Sequence, residues 1–166
     1  MSILEIKKYP DPILKQETRS VDVFDGGLWK LLDNMAETMY EASGIGLAAP
    51  QIGVLSQIAV IDVSREENTL LEFINPVILA QHGKTKSEEG CLSIPDYRDT
   101  IQRATSVTVR AQDRHGKEFT LETGDLLAIC LQHEIDHLHG ILFTDHLSRL
   151  KRELFKRWFN KQKEES

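Results

Sequence analysis

His133, Glu134 and His137 set two imidazoles four residues apart, with a carboxylate beside the first. On a helix, positions i and i+4 lie one above the other, so both rings can face one cation. Glu134 can then reach a water on that cation without ligating it, which is the mechanical content of H-E-x-x-H. A catalytic ion needs three protein ligands and one open position. The third ligand is expected from Glu89-Gly90-Cys91-Leu92-Ser93, where a thiol adjoins a glycine that lets backbone approach an ion or a substrate. Gly44 to Gln51 packs two glycines and two alanines into eight residues and lacks the Lys-Ser/Thr ending of a phosphate loop. Nucleotide binding is therefore not indicated. Each feature also has a plainer reading: solvated histidines, an inert buried thiol, a tight connection of small residues.

Leu126, Ile129 and Cys130 precede His133 by seven, four and three residues, on the stripe that faces the ion. They can line an apolar pocket beside it, or equally pack a core. Cys130 is not expected to ligate, because a fourth protein ligand would close the site. His82, His139 and His146 are expected to be exposed and uninvolved, and so is His115 in its turn.

Other elements must position these groups. Asp25 is placed to cap a helix from about Gly26 to Ala42, with Leu28, Leu31, Leu32, Met35 and Met39 at helical spacing and Gly44 to stop it. Gln57 to Val63 and Leu70 to Ile74 read as strands, and Pro76 interrupts the second before Val77 to Leu79 resumes it. His82 to Glu89 reads as an exposed polar connection. Thr105 to Ala111 and Glu118 to Leu121 flank a hairpin turn at Asp113 to Gly116. Thr123 or Asp125 can cap the helix bearing the histidines, which Gly140 ends. A last amphipathic helix runs from about Leu147 to Asn160, with Leu150, Leu154, Phe155 and Trp158 on one side. The expectation is one α+β domain over residues 1–166: antiparallel sheets around a central metal-binding helix, with an N-terminal helix and a C-terminal amphipathic helix.

The chain has 166 residues, 40% of them hydrophobic and 28% charged, which suits one ordinary globular domain. No apolar run is long enough to span a bilayer, and the N-terminus lacks the features of a secretory signal, so a cytoplasmic location is expected. There the two cysteines are expected as thiols or a metal ligand rather than a disulfide. The net charge of −6 argues against a general nucleic-acid binder, DNA included. Residues 148–166 carry seven Lys/Arg against three Glu, a balance of +4 that leaves −10 for the rest. A solvated helix face is the ordinary meaning of such a run, and a docking surface for an acidic partner is the other.

Taken together, three segments resemble the signature motifs of the peptide deformylases. Gly44 to Gln51 matches G-x-G-L-A-A-P-Q, Glu89 to Ser93 matches E-G-C-L-S, and Gln132 to Gly140 matches Q-H-E-x-D-H-L-x-G, with every fixed position filled. The likeness extends over essentially the whole chain. It implies removal of the formyl group from N-formylmethionine on newly made polypeptides, with Cys91, His133 and His137 as metal ligands. It implies Glu134 as the acid/base that activates the metal-bound water attacking the formyl carbon. Gln51 and the Leu92 backbone N–H correspond to the groups that stabilise the oxyanion, and Gly46 to the one whose backbone meets the substrate. The pocket for the methionine side chain then takes Ile45 with Leu126, Ile129 and Cys130, and Arg98 is a candidate for positioning the peptide. Ser87 stands where related enzymes often carry an aliphatic side chain, which would make that pocket's rim more polar. Thiolate and imidazole suit zinc, iron or nickel; the resemblance implies one Fe(II) per chain, with zinc, nickel or cobalt able to substitute. In some relatives a basic C-terminal helix docks on the ribosome, and a monomer is expected. A zincin-type peptidase and a closed structural metal module are the readings that compete.

Overall fold

The computed structural model describes residues 2–165. Asp25 opens the first helix, α1 (Gly26–Glu41), by accepting hydrogen bonds from the N–H groups of Gly27 and Leu28. The left-handed residue that ends it is Ser43, at φ 57°, one position before the expected glycine. Gly44 is small for another reason: a Cβ there would lie 2.7 Å from the Leu92 side chain.

Seven strands follow: β1 (Gly46–Ala48), β2 (Ile58–Ile61), β3 (Leu71–His82), β4 (Thr85–Cys91), β5 (Ile94–Arg103), β6 (Ser106–Gln112) and β7 (Glu118–Gly124). A 3₁₀ turn at Ala49–Ile52 joins β1 to β2. Then come α2 (Asp125–Leu138) and α3 (Arg149–Glu165), with another 3₁₀ turn, Phe143–His146, between them. Strands β1-β2-β3-β6-β7 form one antiparallel sheet, and β4-β5 a separate hairpin.

All four residues of β2 are buried, which places its strand between two apolar layers. Ile58 and Val60 join Leu28, Leu32, Met35 and Met39 of α1. Ile61, with Phe73, Val107 and Val109, packs against Ala128, Leu131 and Ile135 of α2. A third cluster of Leu14, Ile94, Ile101, Leu142, Phe143, Leu147 and Phe155 fastens the β4-β5 hairpin. Side chains of α2 thus meet the sheet on one side and the hairpin on the other. This is the expected α+β arrangement around a central helix.

Several local expectations do not hold. Residues 82–89 are not an exposed connection: β4 begins at Thr85, and Ser87 and Glu89 are buried. Alternation is present, but the inward residues are polar, so hydrophobicity hides it. Ile94–Arg103 is a ten-residue strand that the sequence reading left unassigned. Pro76 does not split β3, since it sits within a register shift between Ile74 and Val77 beside Asn75 at φ 53°. Neither Thr123 nor Asp125 caps α2; Gly124 is the N-cap, without a side-chain bond. On α3 only Phe155 is buried, while Leu150 and Leu154 are 70% and 50% exposed. The aromatic half of the expected face does dock, joined by Phe159: the Phe155 ring lies 4.7 Å from Tyr97 and 5.1 Å from Tyr9, Trp158 lies 5.0 Å from Tyr97, and Phe159 lies 4.8 Å from Tyr9. Among the described residues, no helix is long and apolar enough to cross a membrane.

Candidate metal centre

The i, i+4 pair on α2 meets the end of β4 at one point. Nε2 of His137 lies 3.2 Å from Nε2 of His133 and 3.4 Å from Sγ of Cys91. All three ligand atoms fall within 4.8 Å of one another. A tetrahedral ion with ordinary metal–nitrogen and metal–sulfur bonds would set its ligand atoms roughly 3.3–3.6 Å apart. The observed spacing therefore fits one cation between three side chains, and the donor set of one sulfur and two imidazoles suits a divalent transition metal.

Burial, and then the neighbouring His133, push the His137 pKa well down, so this ring is held neutral as a ligand must be. Burial also acts to lower His133, but Glu134, Cys91 and Glu89 outweigh it and favour a proton on that ring. Proton and cation compete for the same nitrogen, so the negative surroundings that favour one also favour the other. Nδ1 of His133 is held by Glu89 Oε1 at 2.9 Å, which fixes the ring with Nε2 toward the centre. Nδ1 of His137 is buried with no partner among the described residues.

Glu89 anchors a further chain of charges. Arg103 grips it through two bonds of 2.8 Å and reaches Asp136 Oδ2 at 2.7 Å. Asp136 in turn meets Nε2 of His146 at 2.8 Å. Burial raises the Glu89 pKa, yet Arg103 and His133 outweigh it and bring the carboxyl down to about 2. Glu89, Asp136 and Arg103 were not singled out as site residues. Glu89 and Asp136 lie inside the matched motifs and could have been. Arg103 lies in the unassigned strand and gave no signal.

Glu134 projects from the same turn of α2 as the ligands but joins none of them. It is buried, its Oε1 has no hydrogen-bond partner, and an ideal Cβ on Gly46 would fall 2.5 Å from its Oε2. Only glycine lets β1 pass so close. Burial, the largest influence, raises the Glu134 pKa to about 7 against the opposing charge of His133. A carboxyl poised there can take and return a proton near neutrality.

Gln51, on the 3₁₀ turn after β1, is fully buried. Its Oε1 accepts from the Ala48 N–H at 3.0 Å, and its Nε2 donates to Ser93 Oγ at 3.1 Å and lies 3.5 Å from Cys91 Sγ. The amide is thereby oriented with its donor end at the thiol. Leu92 follows Cys91 in the turn between β4 and β5 and packs against Gly44, bringing the first two motifs together.

A cavity of about 680 Å³ opens on this centre. Cys91, His133, Glu134, Gln51, Leu92 and Gly46 line it, and so do Ile45, Leu126, Ile129, Cys130, Ser87 and Arg98. Ile45 and Leu126 form an exposed rim, while Cys130 is buried. Burial, then Glu134 and Glu89, push the Cys130 thiol up to about 12, so it stays neutral. Arg98 stands at the outer edge, donating to the side chain and the carbonyl of Glu88 at 3.2 Å each. All of the expected site residues except His137 line this one cavity, and His137 belongs to the group of three that could hold an ion beside it. His82, His115, His139 and His146 stay out of the centre and are exposed, as expected, with His139 pairing with Glu17 at 3.0 Å. The His115 ring lies 5.3 Å from that of Trp29.

Comparison with known proteins agrees with this geometry. Residues 3–153 match the family model described as polypeptide deformylase. A peptide deformylase of Thermodesulfovibrio yellowstonii is 53% identical over 165 residues, covering 98% of this chain and all of that protein. The crystal structure of a peptide deformylase from Legionella pneumophila superposes with a TM-score of 0.93 at 47% identity, over 98% of this chain and 96% of that one. That of Ehrlichia chaffeensis in complex with actinonin gives 0.91 at 39% identity, over 98% of each chain. The peptidase and structural-module alternatives fall with these matches. With its motifs converging on one centre and its whole length shared with these relatives, the chain belongs to the polypeptide deformylase family.

Proposed function

We propose that this protein removes the formyl group from N-formylmethionine at the start of newly made polypeptides, releasing formate and a free amine. The observation that supports this best is the meeting of Cys91, His133 and His137 at a cavity where Glu134 faces Gly46 without a partner of its own. Cys91, His133 and His137 are the residues that would hold a divalent ion. When bound there, such an ion supplies Lewis acidity at the formyl oxygen and makes water acidic enough to react near neutral pH.

The remaining work falls to the chain. Glu134 takes the proton from the attacking water and later delivers it to the departing amine nitrogen, so the carboxylate is restored each turnover. As the formyl carbon becomes tetrahedral, negative charge grows on its oxygen. The Gln51 amide and the Leu92 N–H are the donors assigned to it. The Gly46 backbone, free of a side chain, aligns the peptide. Ile45, Leu126, Ile129 and Cys130 receive the methionine side chain, and Arg98 steadies the chain beyond it.

The native ion assigned here is Fe(II), in a cytoplasmic, monomeric enzyme, with zinc, nickel or cobalt able to replace it. Protein purified without oxygen is expected to carry one iron per chain by elemental analysis and to release formate from formyl-Met-Ala-Ser. The acetyl peptide should be inert. Equal hydrolysis of both, or full activity after the metal is stripped, refutes the assignment.

We also propose that α3 docks on the ribosome. Its solvent face carries Arg149, Arg152, Arg157 and Lys161 beside the exposed Leu150 and Leu154, a pattern suited to an RNA and protein surface. Because Phe155 belongs to the core, charge reversal is a cleaner test than truncation. Arg152→Glu with Arg157→Glu is expected to weaken co-sedimentation with ribosomes severalfold at low salt while peptide hydrolysis in solution persists. Unaltered co-sedimentation excludes this surface.

A further inference from the structure

Ser87 is 7% exposed and lies two residues before Glu89 on the inner face of β4. Alternate residues of a strand point the same way, so Ser87 faces α2 as Glu89 does. Glu89 meets His133, and Ser87 stands roughly 6–7 Å back along the strand. Ser87, Ile129 and Cys130 line the cavity with Ile45 and Leu126. The other buried serine of the hairpin, Ser93, is paired with Gln51, and Gln132 and Thr18 are likewise satisfied. The Ser87 hydroxyl has no hydrogen-bond partner among the described residues, and it is not among the polar atoms sealed off by protein. A buried hydroxyl left unpaired at the wall of a ligand cavity is a donor waiting for an acceptor.

The assigned occupant of that wall is a methionine side chain, and a thioether is a weak acceptor that makes poor use of such a donor. Its commonest oxidation product is different. The sulfoxide is polar and chiral, with an oxygen that demands a donor once water is excluded. We propose that Ser87 lets this pocket accept N-formylmethionine sulfoxide alongside N-formylmethionine, the hydroxyl donating to the sulfoxide oxygen. The inference rests on the deformylase reading above and names a second substrate class for the same site. The reaction itself is unchanged: water adds at the formyl carbon, the C–N bond breaks, formate leaves and the amine keeps a proton. The sulfoxide is not reduced. Since Ser87 stands on one wall only, one sulfoxide epimer is preferred.

The test measures kcat/KM for formyl-Met-Ala-Ser and for each epimer of its sulfoxide, on metal-loaded wild type, Ser87→Ala and Ser87→Thr, with thermal melting as a control for folding. Ser87→Ala is expected to lower the sulfoxide-to-methionine ratio by about tenfold, the scale set by leaving one buried acceptor unpaired, and to erase the epimer preference. Ser87→Thr, which keeps the hydroxyl, restores most of both. A ratio that is the same in wild type and Ser87→Ala overturns the proposal, as does a wild type that hydrolyses the methionine peptide and neither epimer. Inactivity on all three peptides instead sinks the deformylase reading and this inference with it.

Discussion

Glu134→Ala is expected to keep one metal ion per chain and lose almost all formyl hydrolysis. The two halves of that outcome separate because Glu134 shares a helix turn with the proposed ligands His133 and His137 but lies outside the Cys91, His133 and His137 group that could hold an ion. Its carboxylate is placed for proton transfer: buried, unpartnered at Oε1, raised to about 7, and pressed against a backbone that has no side chain to shield it. A positioned acid/base contributes roughly 10²–10⁴ in rate, and the neighbouring Cys130 stays protonated while Glu89 is held by Arg103 and His133, so neither takes over the role. The measurement is formate release from formyl-Met-Ala-Ser with metal analysis of the same preparation. Loss of the metal along with activity would recast Glu134 as part of the binding site. Retained activity would remove it from the mechanism.

The same residue shows why the centre was legible before any coordinates. His133, Glu134 and His137 are local in sequence, and a helix converts their spacing into geometry without help from the rest of the fold. Cys91 and Gln51 depend on long-range placement, and no periodicity places them. They became readable only as members of motifs seen together. The fold followed the same rule. α1, β2 and β6 were visible because their buried positions are mostly apolar: Leu28, Leu32 and Met35 in the helix, all of Ile58–Ile61 in the strand. Strand β4 was missed because its inward residues are Ser87 and Glu89, polar groups chosen for what they do at the site. Strand β5 was missed for a related reason: Arg103, at its end, faces inward to hold two carboxylates. On α3, helical periodicity was correct and half of the expected face holds: Phe155 and Trp158 pack inward, whereas Leu150 and Leu154 do not. The leucines look like the core stripe, whereas the aromatic side chains of Phe155, Trp158 and Phe159 find Tyr9 and Tyr97 across the N-terminal segment and the hairpin.

Arg103→Met is expected to be the most destabilising single change outside the apolar core. Arg103 is 5% exposed and serves two carboxylates, Glu89 and Asp136, on different elements. Removing it takes the shared guanidinium from both carboxylates and leaves each with only a histidine partner, His133 for Glu89 and His146 for Asp136, a loss that costs about 3–5 kcal/mol in comparable buried pairs. For a domain of this size that corresponds to a fall of roughly 6–20 °C in melting temperature. The pH dependence distinguishes lost charge pairing from lost packing. In the wild type, Glu89 is depressed from 4.5 to about 2, so its contribution is present above pH 4.5 and is lost as pH falls from there toward 2. In the variant only His133 is left to oppose burial, so Glu89 can protonate at higher pH than in the wild type and shed part of its penalty. The stability gap between the two proteins should therefore be widest at neutral pH and narrow on acidification. Adding Glu89→Gln should recover part of the loss at neutral pH, although His133 then loses its carboxylate partner and metal affinity falls by the 10–100-fold typical of such outer contacts. Melting of metal-stripped protein between pH 4 and 8 gives the first result, and competition with a chelator gives the second. A gap that does not change with pH would mean that Arg103 acts through shape alone and that the Glu89 charge is not what it stabilises.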